Sequence, residues 1–145
     1  MEEKLSGIVL GGVNYGENDK ILSVFTIDKG VVSARIKGVK KAGAKLKFAS
    51  EPFCFAEFVF SEKLGKRTVT GASLIDSFYP LREDIIKYYA GAVILEFDKL
   101  FLKEEIVSPD LFILSVESLK ELAYGKVHPV ITAANFLINA LKYSG

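Results

Sequence analysis

The hydrophobic rhythm of the chain changes once, at Pro80, and that change limits the fold more than any other feature. Before it, short runs rich in β-branched and aromatic residues alternate with glycine-containing turns; after it, apolar residues recur at three- and four-residue spacing. Such a chain folds as strands followed by helices, an α+β arrangement of two units. The boundary is set between residues 79 and 80, giving a strand-built unit over 1–79 and an all-helical unit over 80–145.

Five strands are expected, over Ser6–Leu10, Lys20–Ile27, Val31–Ile36, Phe53–Phe60 and Arg67–Ile75. Asp28-Lys29-Gly30 makes the first hairpin turn, because glycine accepts positive φ without a steric penalty. Glu62 to Lys66 reads as a second hairpin loop, and Gly71 in mid-strand marks a bulge or bend. Five short strands with one longer connection between the third and fourth match a closed OB-like barrel. A small open sandwich or an SH3-like barrel would give a similar pattern. The first helix is expected from Arg82 on, with Ile85, Ile86, Tyr89, Val93, Phe97, Leu100 and Phe101 recurring as its apolar stripe. Ser108-Pro109-Asp110 signals the next helix start: Ser can cap, Pro suits the first turn and Asp favours the positive helix end. That helix should run to about Ala123. A third begins near Pro129, with Ile131, Ala134, Leu137, Ile138 and Leu141 as its apolar stripe.

Charge separates the units. The net charge is only +1, but residues 1–80 carry 12 Lys/Arg against 9 Asp/Glu, and residues 81–145 carry 7 against 9. The basic excess is concentrated. Between Lys29 and Ser50 lie seven basic residues (Lys29, Arg35, Lys37, Lys40, Lys41, Lys45 and Lys47) and no acidic one, with Gly38, Gly43 and alanines among them. A flexible cationic loop of this kind suits phosphate, since neutralising phosphates releases counterions. Arg35, Lys37, Lys40, Lys41, Lys45 and Lys47 are therefore the candidate residues for binding a nucleic-acid backbone. A solvated loop kept soluble by lysines is the bland alternative.

Aromatics supply the second signal. Alternation puts Phe58 and Phe60 on one face of the fourth strand and Phe53 and Phe55 on the other. Both faces can be buried only if the helical unit covers one of them. Tyr15, read as part of an Asn14–Glu17 loop, is the better candidate for stacking on a base.

Catalytic readings find little support. The one histidine, His128, precedes Pro129 and reads as a cap or surface residue. Glu83-Asp84 and Glu104-Glu105 read as solvated helix faces, and Lys40-Lys41 lacks the glycine framing of a phosphate loop. One Cys and one His make no metal cluster and no intrachain disulfide. No run approaches the ~20 apolar residues of a membrane span, and no leader is apparent, so a soluble cytoplasmic protein is expected.

Several motifs then fall in a familiar order. Gly7-Ile8-Val9-Leu10 is followed by Tyr15-Gly16-Glu17-Asn18-Asp19-Lys20-Ile21-Leu22, similar to a Tyr-Gly-Glu-x-Asp-x-Ile-Leu run. Lys37-Gly38-Val39-Lys40-Lys41 is similar to Lys-Gly-Ala-Arg-Arg, Glu51-Pro52-Phe53 to Gln-Pro-Phe, and Phe78 to Asp84 to an entry into a helical domain. Together they resemble the RecO family of recombination mediators. The resemblance implies an OB fold followed by helices. It also implies binding of single- and double-stranded DNA, strand annealing, and a non-enzymatic, nucleoid-associated role in loading RecA. The partners it implies are RecR and the acidic C-terminal tail of single-stranded DNA-binding protein. For that tail the helices offer Arg82, Tyr89, Lys99, Lys103 and Lys142, with an apolar pocket drawn from Ile85, Tyr89, Val93, Phe112 and Leu141. Lys40-Lys41 departs from the family's Arg-Arg, keeping charge but losing bidentate phosphate recognition. Family members continue past the point matching Leu141 to Gly145, many with a four-cysteine zinc module. No cofactor is expected in this chain; zinc would belong only to such a C-terminal part. Two rival readings remain at this level, an RNA-binding OB protein and a protein-interaction module docking acidic peptides.

Overall fold

The computed structural model describes residues 1–144; Gly145, the last residue of the expected helical unit, lies outside them. Five strands come first: β1 (Glu2–Tyr15), β2 (Asp19–Thr26), β3 (Gly30–Ile36), β4 (Phe55–Lys63) and β5 (Lys66–Asp76). Three helices follow: α1 (Ile85–Phe101), α2 (Pro109–Tyr124) and α3 (Pro129–Ser144). The strands close into a barrel in the order β1-β2-β3-β5-β4, the OB arrangement. All neighbours are antiparallel except β3 and β5, whose parallel pairing is only two residues long, Ala34 with Arg67 and Arg35 with Thr68. That seam is the weakest in the barrel, and the candidate site opens beside it.

β1 is longer than the Ser6–Leu10 expected. Its first half pairs with β4 and its second half with β2, the register shifting between Val9 and Gly11. Gly11 and Gly12, just beyond the expected strand, lie where it bends round the barrel. Tyr15 consequently ends a strand rather than sitting in a loop. The second hairpin is also tighter than expected. Leu64 and Gly65, with φ of 54° and 77°, make a two-residue turn whose twist matches the strands.

Phe58 and Phe60 stack 5.7 Å apart inside the barrel with Leu22, Val24 and Ile36. Phe53 and Phe55 face the other way and join a second core with the helices. There Phe112 of α2 meets Phe25 at 5.3 Å and Phe55 at 6.0 Å, both edge to face. The helical unit thus covers the outer barrel face. Gly91 permits the approach of α1, since a Cβ there would lie 2.8 Å from the Phe53 ring. Asp76, at the end of β5, accepts hydrogen bonds from the Phe78 N–H at 2.7 Å and the Tyr124 hydroxyl at 2.6 Å, so one carboxylate ties the barrel to α2. The Tyr124 hydroxyl is pushed up to about 12 by that bond. Burial pushes the Cys54 thiol up to about 11, which leaves it protonated and unreactive at neutral pH.

The apolar stripe of α1 does not face the core. Of its seven residues only Phe97 is buried; Ile85, Ile86, Tyr89, Val93, Leu100 and Phe101 are exposed. Ala90, Gly91, Ile94, Leu95, Phe97 and Asp98 face inward instead. In α3 likewise Ile131, Ala134, Ile138 and Leu141 are exposed, while Thr132, Phe136 and Ala140 are buried. A helix apolar on most of its circumference satisfies a 3.6-residue period with more than one face, and the pattern cannot select between them. Packing selects the face with small residues, which lets the backbones approach. Asp84 is a cap rather than a solvated helix face: its Oδ1 accepts from the Ile86 and Lys87 N–H groups at 2.9 and 3.2 Å. Ser108 precedes α2 as expected, but its hydroxyl makes no capping bond. His128 does cap, its Nδ1 accepting from the Val130 N–H at 3.1 Å.

Candidate nucleic-acid interface

Beside the β3–β5 seam lies a groove of about 520 Å³. Its floor is Ile21, Val32 and Ala34; its walls carry Tyr15, Arg35 and Lys37 on one side and Lys66, Arg67 and Thr68 on the other. The seam is open here because β5 reaches β3 at only two residues. OB barrels generally bind their ligands on a barrel face of this kind.

The Arg35 guanidinium lies 4.8 Å from the centroid of the Tyr15 ring, a cation–π contact. The same guanidinium donates from Nε to Asp19 Oδ2 at 2.9 Å. Asp19 Oδ1 accepts the Gly38 N–H at 2.8 Å. One carboxylate therefore aims the arginine and holds the start of the β3–β4 loop. The Gly38 N–H and then Arg35 keep the Asp19 carboxyl below its ordinary value, so it is ionised at neutral pH. Lys40 N–H donates to the Asn18 carbonyl at 2.9 Å, and Val39 is buried in the barrel core. The loop expected to be flexible is thus anchored on the β1–β2 turn.

From this platform Lys37, Lys40, Lys41, Lys45 and Lys47 all project into solvent. Among them only Lys37 lines the groove with Tyr15 and Arg35; the other four extend the cationic surface along the loop. Lys66, Arg67 and Asp19 were missed from sequence. Asp19 stood inside the Tyr-Gly-Glu-x-Asp motif and carried a signal; Lys66 and Arg67 are brought to the groove only by barrel closure. Arg67 is largely consumed inside the protein. Its side chain is 9 % exposed and pairs with Glu3 at 2.9 Å, Glu62 at 3.6 Å and Glu105 at 3.1 Å.

The helical candidates are not assembled into one site. Arg82 donates to the Pro52 carbonyl at 2.9 Å, before the start of α1. Lys99 lies in the last turn of α1, beside Gly11 and 3.6 Å from Glu96. The 17 residues of α1 make ~25 Å of helix between these ends. Tyr89 is exposed midway, against Tyr88, and Lys103 lies in the α1–α2 loop. Phe112 cannot line the expected surface pocket, because it is buried against Phe25 and Phe55. No cluster of three or more metal-ligating side chains occurs among the described residues.

Comparison with known proteins agrees with this architecture. The family model described as "Recombination protein O N terminal" matches residues 1–78, and "Recombination protein O C terminal" matches residues 82–145. The chain is 34 % identical to the DNA repair protein RecO of Caldicellulosiruptor bescii over 143 residues, covering 98 % of this chain and 58 % of that protein. It is 33 % identical to the DNA repair protein RecO of Bacillus subtilis over 132 residues, 91 % of this chain and 52 % of that one. The counterpart from Acetivibrio thermocellus is 30 % identical over 142 residues, 98 % and 57 %. The chain thus spans about half the length of the curated relatives it matches.

Proposed function

The chain belongs to the RecO family, and from that premise we propose that it binds DNA strands in the barrel groove as a non-enzymatic component of recombinational repair. The observation that carries this reading is the Tyr15–Arg35–Asp19–Gly38 chain of contacts, which fixes an aromatic ring, a guanidinium and a lysine-rich loop on one lip of the groove. Lys37, Lys40, Lys41, Lys45 and Lys47 meet phosphates, and Tyr15 offers its free face to a base. Such contacts give affinity without much sequence preference, because every base has a π-face and every nucleotide a phosphate. Holding two strands by their backbones is what annealing requires, and the same property would serve RecA loading with RecR. The cytoplasm, at the nucleoid, is the compartment that fits this role; no described helix is long and apolar enough to cross a membrane.

The test is the affinity for a single-stranded oligonucleotide across a salt series. If five cations meet phosphates, the slope of log affinity against log salt is roughly −3.5. Lys40→Ala with Lys41→Ala should flatten it by about one unit or more. An unchanged slope would place the DNA elsewhere. Equal-length RNA competing better than DNA would favour the RNA-binding alternative, since an RNA site exploits the 2′-hydroxyl.

The acidic tail of single-stranded DNA-binding protein would meet only scattered cations on these helices. We expect micromolar or weaker binding of a tail peptide, corresponding to ~8 kcal/mol at most. Titration of the peptide checks this, and nanomolar affinity would mean that Arg82, Lys99 and Lys103 underestimate the receptor.

A further inference from the structure

The loop joining α1 and α2, residues 102–108, belongs to the helical unit by sequence but docks on the barrel. Glu105 N–H donates to the Val31 carbonyl at 2.9 Å, and Glu104 forms a parallel bridge with Val31. The loop therefore occupies the edge of β3 just where β5 has not yet reached it. Gly30 admits it: its φ is +69°, and a Cβ there would fall 2.4 Å from the Ile106 carbonyl oxygen. The two carboxylates of this loop then enter the groove. Ser33 Oγ donates to Glu104 Oε1 at 3.1 Å, and Arg67 Nη2 donates to Glu105 Oε1 at 3.1 Å. Both glutamates line the groove on the same rim as Arg67 and Thr68.

Hydroxyls and guanidinium groups are the donors that phosphate oxygens ordinarily take. Here they are already satisfied by carboxylates of the same chain. We infer that Glu104 and Glu105 form a built-in electrostatic stop, standing where the next phosphate of a bound strand would lie and withholding Ser33 and Arg67 from it. This rests on the groove being the DNA site and specifies how that site ends. A strand enters over Tyr15, Arg35 and Lys37 and is turned away before β5. The usable groove is therefore shorter than the barrel face, and the lysine loop continues the path.

The test uses Glu104→Gln with Glu105→Gln, which keeps shape and hydrogen-bonding groups while removing both charges, and it uses the whole chain. We expect about threefold tighter binding of a single-stranded oligonucleotide at low salt, and a salt slope steeper by at most about 0.7, because Arg67 keeps its pairs with Glu3 and Glu62 and only its Nη2 side is relieved of Glu105. The shortest oligonucleotide reaching full affinity should lengthen. In an Arg67→Gln background the added slope should vanish. Thermal melting reports whether each variant is folded, and Glu105→Gln alone should retain most of the effect. If wild type binds with the expected salt dependence but the double variant has the same affinity, slope and footprint, the stop is overturned and the groove reading survives. An added slope that persists without Arg67 also overturns it. If wild type and variant both fail to bind, the groove reading itself falls.

Discussion

Asp98→Asn should stabilise the protein at pH 8 and leave it unchanged below about pH 4. Asp98 lies on the inward face of α1 and is fully buried. Its Oδ2 accepts the Ser115 hydroxyl at 2.7 Å, while Oδ1 has no hydrogen-bond partner among the described residues. Burial pushes the carboxyl up to about 7, and the Ser115 bond offsets only part of that. The unfolded chain ionises the same group near its ordinary value of 3.8. The sign follows from linkage. Below the unfolded value both states hold the proton, and the full stability is present. As pH rises toward 7, the unfolded state releases the proton and the folded state does not, so stability falls. At about 1.4 kcal/mol per pH unit, that gap sets an upper limit of ~4 kcal/mol for the loss. An amide has no proton to lose, so the Asp98→Asn variant should hold its stability through that window. Urea unfolding of both proteins from pH 4 to pH 8 measures the difference. Parallel curves would show that the carboxyl is hydrated rather than enclosed. The Asp19 carboxyl does not interfere, because its value is lowered and its contribution is lost only as pH falls below the ordinary carboxylate range.

Asp98 also shows where the sequence could be read and where it could not. The barrel was legible because alternation has one period and, for a closed sheet, one inside. Phe58 and Phe60 had to face one way and Phe53 and Phe55 the other, and the two cores obey that division. The helices were legible in extent but not in orientation. Ile85, Ile86, Tyr89 and Val93 are larger and more apolar than Ala90 and Gly91, so the pattern favoured the wrong side. Approach of backbones decided it: Gly91 against Phe53 brings α1 onto the barrel, and this carries Asp98 inward too. The groove was half legible. Its cations on β3 and the following loop are close in sequence, and so visible as a run without acids. Lys66, Arg67, Glu104 and Glu105 reach it only through barrel closure and the docking of a helix–helix loop, which are non-local events. Glu104-Glu105 had every appearance of a solvated pair until Val31 and Ser33 were placed beside it.

Asp19→Ala should weaken DNA binding by about tenfold, although it removes a negative charge from the proposed DNA site. Coulomb's law alone predicts the reverse, since the net charge near the phosphates becomes more positive. The structure gives Asp19 two positioning tasks that outweigh this. It aims Arg35 across the Tyr15 ring, and it holds the Gly38 N–H at the root of the lysine loop. Without it, the root of the loop keeps only the Lys40 N–H bond to Asn18 and the burial of Val39, so the lysines are held less tightly and part of the ordering entropy comes off the affinity. Asp19→Asn separates the two effects. The amide oxygen can still accept from Gly38, but its NH2 then faces the Arg35 guanidinium and cannot accept from it, so binding should be weakened less than by Asp19→Ala. Fluorescence anisotropy with one labelled oligonucleotide at fixed salt ranks the three proteins. Tighter binding by both variants would show that charge dominates and that the loop needs no anchor. Weaker binding by Asp19→Ala than by Asp19→Asn would identify Asp19 as the residue that converts a run of lysines into a shaped surface.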